Sequence, residues 1–318
     1  MSDWIDVIVA EKRAEAQDIA AFVLQATDGG VLPAYEAGAH IDVRLPNGLI
    51  RQYSLCGEPG RPDRYELGIL MEAAGRGGSR FFHEQVGEGS VIQVSPPRNL
   101  FGIVPGKAAL LFAGGIGVTP ILAMAEHASR SGAAFEMHYC TRSASRAAFR
   151  RRIDASAFAS RVCYHFDDQP ETRLDARSLL RGPRLDTHIY VCGPDGFMDY
   201  VLGAAREAGW SESAIHFERF SAAELDASRD GAFEIEIADS GRVIAVPAGK
   251  SALEALAAAG IDIPVSCEQG ICGTCLTEVI AGVPDHRDMF LSEAERAANN
   301  CFTPCCSRAL TSRLVIQP

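Results

Sequence analysis

No stretch of this 318-residue chain approaches the eighteen consecutive apolar residues that a membrane-spanning helix needs. The N-terminal "MSDWIDVIVAEKRAEAQDI" lacks the basic and then apolar order of a signal peptide, so a cytoplasmic protein with no membrane partner is expected. Positive charge is also scarce. Thirty Lys and Arg face 41 Asp and Glu, and the net charge of -11 would be repelled by nucleic-acid phosphates. Internal repeats and low-complexity tracts are absent. So are a paired histidine spacing such as H-E-x-x-H, a Ser-His-Asp or Cys-His set at a nucleophile elbow, and any glycosidase-like or two-metal carboxylate pattern. Hydrolysis by a protein nucleophile, zinc-peptidase chemistry and nucleic-acid binding are thereby excluded as readings.

What is present is ordinary in bulk and specific in detail. The 47% hydrophobic and 22% charged fractions suit a globular protein, and the length exceeds what one core usually serves, so two or three domains are expected. Residues 1–104 carry short alternating runs ("HIDVRL", "YELGIL", "SVIQVS") between Gly and Pro turns, which predicts a small antiparallel barrel or sandwich. Residues 105–224 alternate apolar runs ("AALLFAGG", "FEMHYC", "RVCYHF", "HIYVCG") with helical stretches, the pattern of a parallel sheet with crossover helices. A polar stretch over 225–231 reads as a linker. Residues 232–318 begin with a hairpin, "FEIEIADSGRVIAVPA", and a helix, "SALEALAAAG".

Ten cysteines in a reducing compartment are poor candidates for disulfides, and their clustering points to metal. Cys267, Cys272 and Cys275 have the C-x4-C-x2-C spacing of plant-type [2Fe-2S] ligation, and Cys305 lies far enough downstream to close the set. Cys301 and Cys306 stand beside it. A loop wrapped around inorganic sulfide needs bare backbone and positive φ, which Gly270 and Gly273 supply. Zinc held by four cysteines is the competing reading, but such sites favour a C-x2-C pair on both sides, and "CFTPCC" offers none.

Three further segments could hold nucleotides. In "RQYSL", Arg51, Gln52, Tyr53 and Ser54 end a barrel strand; they suit a flavin ring, or merely a pleated strand. "GRGGS" precedes the helical "SRFFHEQV", so Gly77, Gly78 and Ser79 would present N–H groups to a phosphate, or form a plain capped turn. In "LLFAGGIGVTPILAMA" a buried strand runs into Gly114, Gly115 and Gly117, with Thr119 as helix cap and Pro120 as first helical residue; this is a pyrophosphate site by construction.

The run from "PVSCEQGICGTC" through "DHRDMFLSEAE" to "CCSRA" resembles the C-terminal ferredoxin domain of the phthalate dioxygenase reductase family, which includes vanillate demethylase reductases. In that family the last ligand opens C-x-S-R-A, a place that Cys305 takes here. "RQYS" with "GRGGS" resembles the family's FMN domain, "GGIGVTP" its NAD domain, and "IYVCGPDGFM" its C-G-P element near the nicotinamide, at Cys192, Gly193 and Pro194. In "HFERF", Phe220 takes the place of a Phe that packs near the flavin. Without the resemblance, Cys192 reads equally as a small buried residue and Phe220 as an aromatic closing a strand.

The resemblance implies a multi-domain fold: an antiparallel β-barrel flavin domain over 1–104, an α/β parallel-sheet NAD domain over 105–224, and an α+β (β-grasp) plant-type ferredoxin domain over 232–318. It also implies function: NADH gives a hydride to FMN, and single electrons pass through the [2Fe-2S] cluster to a Rieske-type terminal oxygenase of an aromatic dioxygenase or O-demethylase system. A stand-alone NAD(P)H reductase of quinones or flavins is the alternative. Residues 230–318 hold twelve acidic against six basic residues, so about half of the net negative charge sits where a basic acceptor would dock. Leu70 departs from the family, since some relatives carry a basic residue there. Arg142 in "YCTRSASR" could face an adenosine phosphate, which bears on NADH against NADPH.

Overall fold

The structure is a computed structural model that describes residues 4–61, 63–72, 75, 77–220 and 230–318. The chain forms two compact units, residues 1–219 and 220–318.

The first unit starts with six antiparallel strands: β1 (Ile5–Ala16), β2 (Ile19–Ala26), β3 (His40–Arg44), β4 (Ile50–Ser54), β5 (Tyr65–Leu70) and, after helix α1 (Gly78–Gln85), β6 (Val91–Val94). Their order is β4-β3-β6-β1-β2-β5, and the sheet curls until its two edges meet at a Leu55–Leu67 bridge. The alternating patterns quoted above fall on β3, β5 and β6, whose inward residues, among them Ile41, Val43, Leu67, Ile69, Ile92 and Val94, are buried.

There follow five parallel strands, β7 (Ala108–Gly114), β8 (Phe135–Thr141), β9 (Val162–Phe166), β10 (Thr187–Cys192) and β11 (Ile215–Glu218), in the order β11-β10-β7-β8-β9. Helices α2 (Val118–Ser131), α3 (Arg150–Asp154), α4 (Ala176–Leu179) and α5 (Asp195–Glu207) make the crossovers. The chain runs outward from β7 to β9, then returns to the other side of β7 as β10. Between β7 and β10 the sheet therefore has a topological switch point, where the carboxyl ends of the strands leave a crevice for a ligand.

Barrel and parallel sheet share one core. Ile19, Ala21, Cys56 and Phe101 of the barrel side pack in the same buried cluster as Leu111, Val118, Ile121, Phe149 and Tyr190. Around its rim Arg152 bridges Glu66 of β5, at 2.7 Å, and Glu126 of α2. This continuity is why the flavin-type and NAD-type segments form one unit.

The second unit contains β12 (Phe233–Ile237), β13 (Val243–Val246), α6 (Ala252–Ala258), β14 (Thr277–Ala281), β15 (Pro284–Asp285), α7 (Glu293–Ala298), β16 (Cys301–Phe302), β17 (Arg308–Ala309) and β18 (Arg313–Gln317). The mixed sheet, β13-β12-β18-β14-β16, sets the final strand parallel to the first and packs α6 on one face, the β-grasp arrangement expected. Ser251 and Glu254 start α6 with a reciprocal capping box. Arg308 is the buried tie. It donates to the carbonyls of Lys250 (2.7 Å), Gly231 (2.9 Å) and Pro247 (3.2 Å), faces Asp230 at 3.6 Å and lies over the Phe233 ring. Replacing it removes the donors to three carbonyls and leaves Asp230 to Arg287 alone, so Arg308→Met in the full chain is expected to lower the stability of the second unit by about 3 kcal/mol, measured by urea unfolding.

Candidate functional site

Glycine-containing strand ends meet at the switch point. β7 ends in Gly114 and runs through a tight turn, Gly115–Gly117, directly into α2. β10 ends at Cys192 in register with Ala113. Gly117 lies so close to this end that a Cβ would fall on the Cys192 carbonyl, so the two loops are joined by bare backbone. The Phe197 ring covers Gly114 and Gly193 from one side.

The reading of Thr119 as cap and Pro120 as first helical residue is corrected here. The turn flows into the helix, Gly117 is the cap, and Thr119 and Pro120 occupy the second and third helical positions. The Thr119 hydroxyl instead donates to the Ile116 carbonyl at 3.0 Å, and Pro120 loses nothing, because N–H groups of the first turn have no intrahelical partner.

Against these loops lies a cavity of about 540 Å³. Its walls include Gly114, Gly115 and Pro194 from the sheet side, Leu70 and Met71 from the end of β5, and the cations Arg142 and Arg146. A volume of this size suits a nucleotide-class ligand.

The two expected flavin segments also come together. Arg51 on β4 lies against Gly78, the first residue of α1, and a Cβ there would come within 2.6 Å of the arginine Nε. Gly77 caps α1 at φ +82° with no side-chain cap, so the positive end of the helix opens at Gly78 and Ser79. The Ser79 hydroxyl accepts from the Glu72 N–H at 3.0 Å. Tyr53 packs edge-on against Phe82, and Gln52 donates to Asp42 at 3.2 Å. Arg76 of the quoted turn and residues 225–229 of the expected linker lie outside the described residues. Phe220 is the first residue of the second unit and is 39% exposed.

One group escaped the sequence reading. Glu218, at the end of β11, is largely buried and accepts from the Ser54 hydroxyl at 3.3 Å, with His40 at 4.0 Å. Burial pushes its carboxyl up to about 8, against a partial lowering by Ser54. Burial, and then Glu218, raises the Cys192 thiol well above its ordinary range, so this thiol is no nucleophile. Burial and then Arg98 lower His40 to about 4. Only the fold brings β4, β10 and β11 to one point. The available hint was the Glu in "HFERF" beside the expected flavin contact.

In the second unit Cys267, Cys272 and Cys275 are buried and Cys305 partly so. The Cys267 thiol meets that of Cys272, and the Cys275 thiol meets that of Cys305, which also touches Cys306. Among the described residues, no three of them lie within 4.8 Å of one another. A single tetrahedral zinc would draw all four sulfurs to within about 4 Å. Two pairs are what two irons need, each taking two thiolates. Backbone N–H groups of Gln269 (3.3 Å) and Thr274 (3.4 Å) donate to the sulfurs of Cys267 and Cys272. Gly270 and Gly273 hold φ +74° and +68°, and a Cβ at Gly273 would enter the Phe290 ring. The residues thus fit a binuclear cluster. Cys306 meets Cys305 as well as Thr303 (3.3 Å) and faces Gly270, while Cys301 sits on β16.

Residues 235–310 match the family described as 2Fe-2S iron-sulfur cluster binding domain, and residues 90–215 match the dimethylamine monooxygenase subunit DmmA-like, N-terminal domain. A vanillate O-demethylase oxidoreductase of Pseudomonas putida is 52% identical over 98% of this chain and 99% of its own. One from Acinetobacter baylyi is 46% identical over 98% of each chain. The solved structure of phthalate dioxygenase reductase, described as a modular structure for electron transfer from pyridine nucleotides to [2Fe-2S], aligns with a TM-score of 0.78. It is 35% identical over 99% of this chain and 98% of that one. Among the described residues no helix is long and apolar enough to cross a membrane.

A carboxyl whose folded pKa is raised keeps its proton in the folded state, so its contribution to stability is complete below the ordinary value of 4.5 and is lost as pH rises toward 8. His40 acts in the opposite direction and over a lower window, since its contribution is lost as pH falls from 6.5 toward 4. Glu218→Gln is therefore expected to remove a decline in stability between pH 5 and 8 that the unaltered chain shows, as read from the denaturation midpoint against pH.

Proposed function

Since the chain belongs to the family of phthalate dioxygenase reductase and the vanillate O-demethylase oxidoreductases, an oxidoreductase family of electron transfer, we propose that it carries electrons from NADH through FMN and [2Fe-2S] to a Rieske-type terminal oxygenase. An O-demethylase or aromatic dioxygenase is the acceptor class we favour. The carrying observation is the cavity of about 540 Å³ bounded by the Gly114–Gly115 turn, Pro194 and the end of β5. It supports a dinucleotide brought to the flavin-type barrel within one unit.

Each segment has a distinct task. Gly114, Gly115 and Gly117 would approach the NADH pyrophosphate at the positive end of α2, where Thr119 and Pro120 keep the first turn regular. Cys192, Gly193 and Pro194 would line the nicotinamide end, with Cys192 a buried neutral thiol. Gly77, Gly78 and Ser79 would take the FMN phosphate, and Arg51, lying against Gly78, would add its charge there. Tyr53 would lie against the ring, Gln52 and Ser54 on the alternate face of β4 would serve its polar edge, and Phe220 would contribute an aromatic contact. One monophosphate cradle in the barrel favours FMN over FAD, since the remaining phosphate loop is needed by the pyridine nucleotide. Flavin supplies the exchange of a two-electron hydride for single electrons. Cys267, Cys272, Cys275 and Cys305 would hold the cluster, and the acidic character of 230–318 favours a basic docking face.

Glu218 holds a proton beside Ser54 at neutral pH and so keeps a net charge away from the ring's end of β4. No side chain is required to act as general acid or base.

Acid-released flavin is expected to be FMN, one per chain. In the same preparation, Cys272→Ser should retain NADH-dependent reduction of ferricyanide while cytochrome c reduction falls to background. Intact cytochrome c reduction in that variant would place the cluster off the route and favour a stand-alone reductase of quinones or flavins.

A further inference from the structure

The edge of the parallel sheet gathers a second group of ligating side chains. Glu136 and His138 share a face of β8, because strand residues two apart point the same way. The parallel register sets His138 beside Cys163 of β9. Glu136 Oε1 or Oε2, a ring nitrogen of His138 and Cys163 Sγ all lie within 4.8 Å of one another. β9 is the last strand of its sheet, so the group is open at Cys163, which is exposed, and closed at His138, which is 2% exposed.

Hydrogen bonds define the state of the imidazole. His165 Nδ1 sits 2.6 Å from the Thr172 carbonyl, which can only accept, so that nitrogen carries the proton. In the neutral ring His165 Nε2 is then an acceptor, and His138 Nδ1, 2.9 Å away, must donate to it. His138 Nε2 is left as a bare lone pair. It makes no hydrogen bond among the described residues, although Glu136 Oε1 is 3.2 Å away. Arg184, at 3.5 Å, takes the other carboxylate oxygen and leaves Oε1 toward the ring. A lone pair and a carboxylate oxygen at this separation repel unless a positive charge lies between them or beside them.

We propose that Glu136, His138 and Cys163 form a binding site for a divalent cation of zinc type, with the fourth position open to water at the β9 edge. One nitrogen, one oxygen and one thiolate are a donor set that zinc accepts. The relay from the Thr172 carbonyl through His165 to His138 is the kind of outer support that fixes a metal-bound imidazole in one tautomer. Donor atoms around zinc stand about 3.5 Å apart, so rotation of the exposed Cys163 side chain is the main adjustment required. The ion would tie the edge strand to its neighbour and stabilise the sheet by mass action. The site is separate from the cysteine quartet of the second unit, whose donors are sulfur alone.

The full chain, purified with flavin and iron in place, is equilibrated with Zn2+ alone and desalted; bound zinc is then counted and its K-edge absorption recorded. The expected result is one zinc per chain, with one sulfur at about 2.3 Å and nitrogen or oxygen at about 2.0 Å. Cys163→Ser should remove the sulfur scatterer and weaken retention by about 10- to 100-fold, while Glu136→Gln weakens it and leaves the sulfur in place. The proposal is overturned if no zinc is retained, if the shell contains four sulfurs, or if neither substitution changes retention.

Discussion

A loop folded tightly against its own unit has no room for side chains where neighbouring groups press on its backbone, and the segment from Cys267 to Cys275 is built on that constraint. Gly270 and Gly273 take left-handed backbone at positions where a Cβ would run into Cys306 and Phe290, and Glu268 adopts the same region at φ +54°. Backbone geometry therefore sets the sulfur positions. The surrounding unit fixes that backbone: the buried Asp288 carboxylate accepts from the N–H groups of Phe290 and Leu291, the Arg296 side chain donates to the Asp288 carbonyl, and Arg308 gathers three carbonyls from distant turns. Cysteines held in this way, if they take the cluster as proposed, need not rearrange when one electron arrives, which suits a relay.

The first unit answers a different requirement. A hydride donor and its acceptor ring must meet with water largely excluded, and neither carries its own scaffold. A shared core between barrel and parallel sheet provides the rigidity, and the switch point between β7 and β10 provides the crevice. Because the redox chemistry belongs to the cofactors, the chain's contribution is placement and charge control. The buried Glu218, protonated near neutrality and bonded to Ser54, belongs to that second task.

Most of the architecture was legible in the sequence because its demands fall on residue types that leave a mark. Cysteine spacing, glycines at strand ends and alternating apolar runs each reflect a local requirement of backbone or ligand. Features that arise from tertiary neighbours left little trace. "EKRAEA" is composed largely of helix formers, yet it continues β1, because pairing with β2 and two bulges override local preference. The α2 cap shifted because a three-residue turn, invisible as a pattern, runs into the helix without a break. Glu218 and His40 needed three strand ends to converge. Glu136, His138 and Cys163 could be joined only through the β8–β9 register, since nothing in "FEMHYC" or "RVCYHF" indicates which residues face each other.

The most direct measurement of the central claim is iron analysis combined with electron paramagnetic resonance of the dithionite-reduced protein. Four thiolates in two pairs predict two irons per chain and a signal that integrates to one unpaired electron shared between them. A single metal ion per cysteine quartet, or full iron loading without such a signal, would contradict the account.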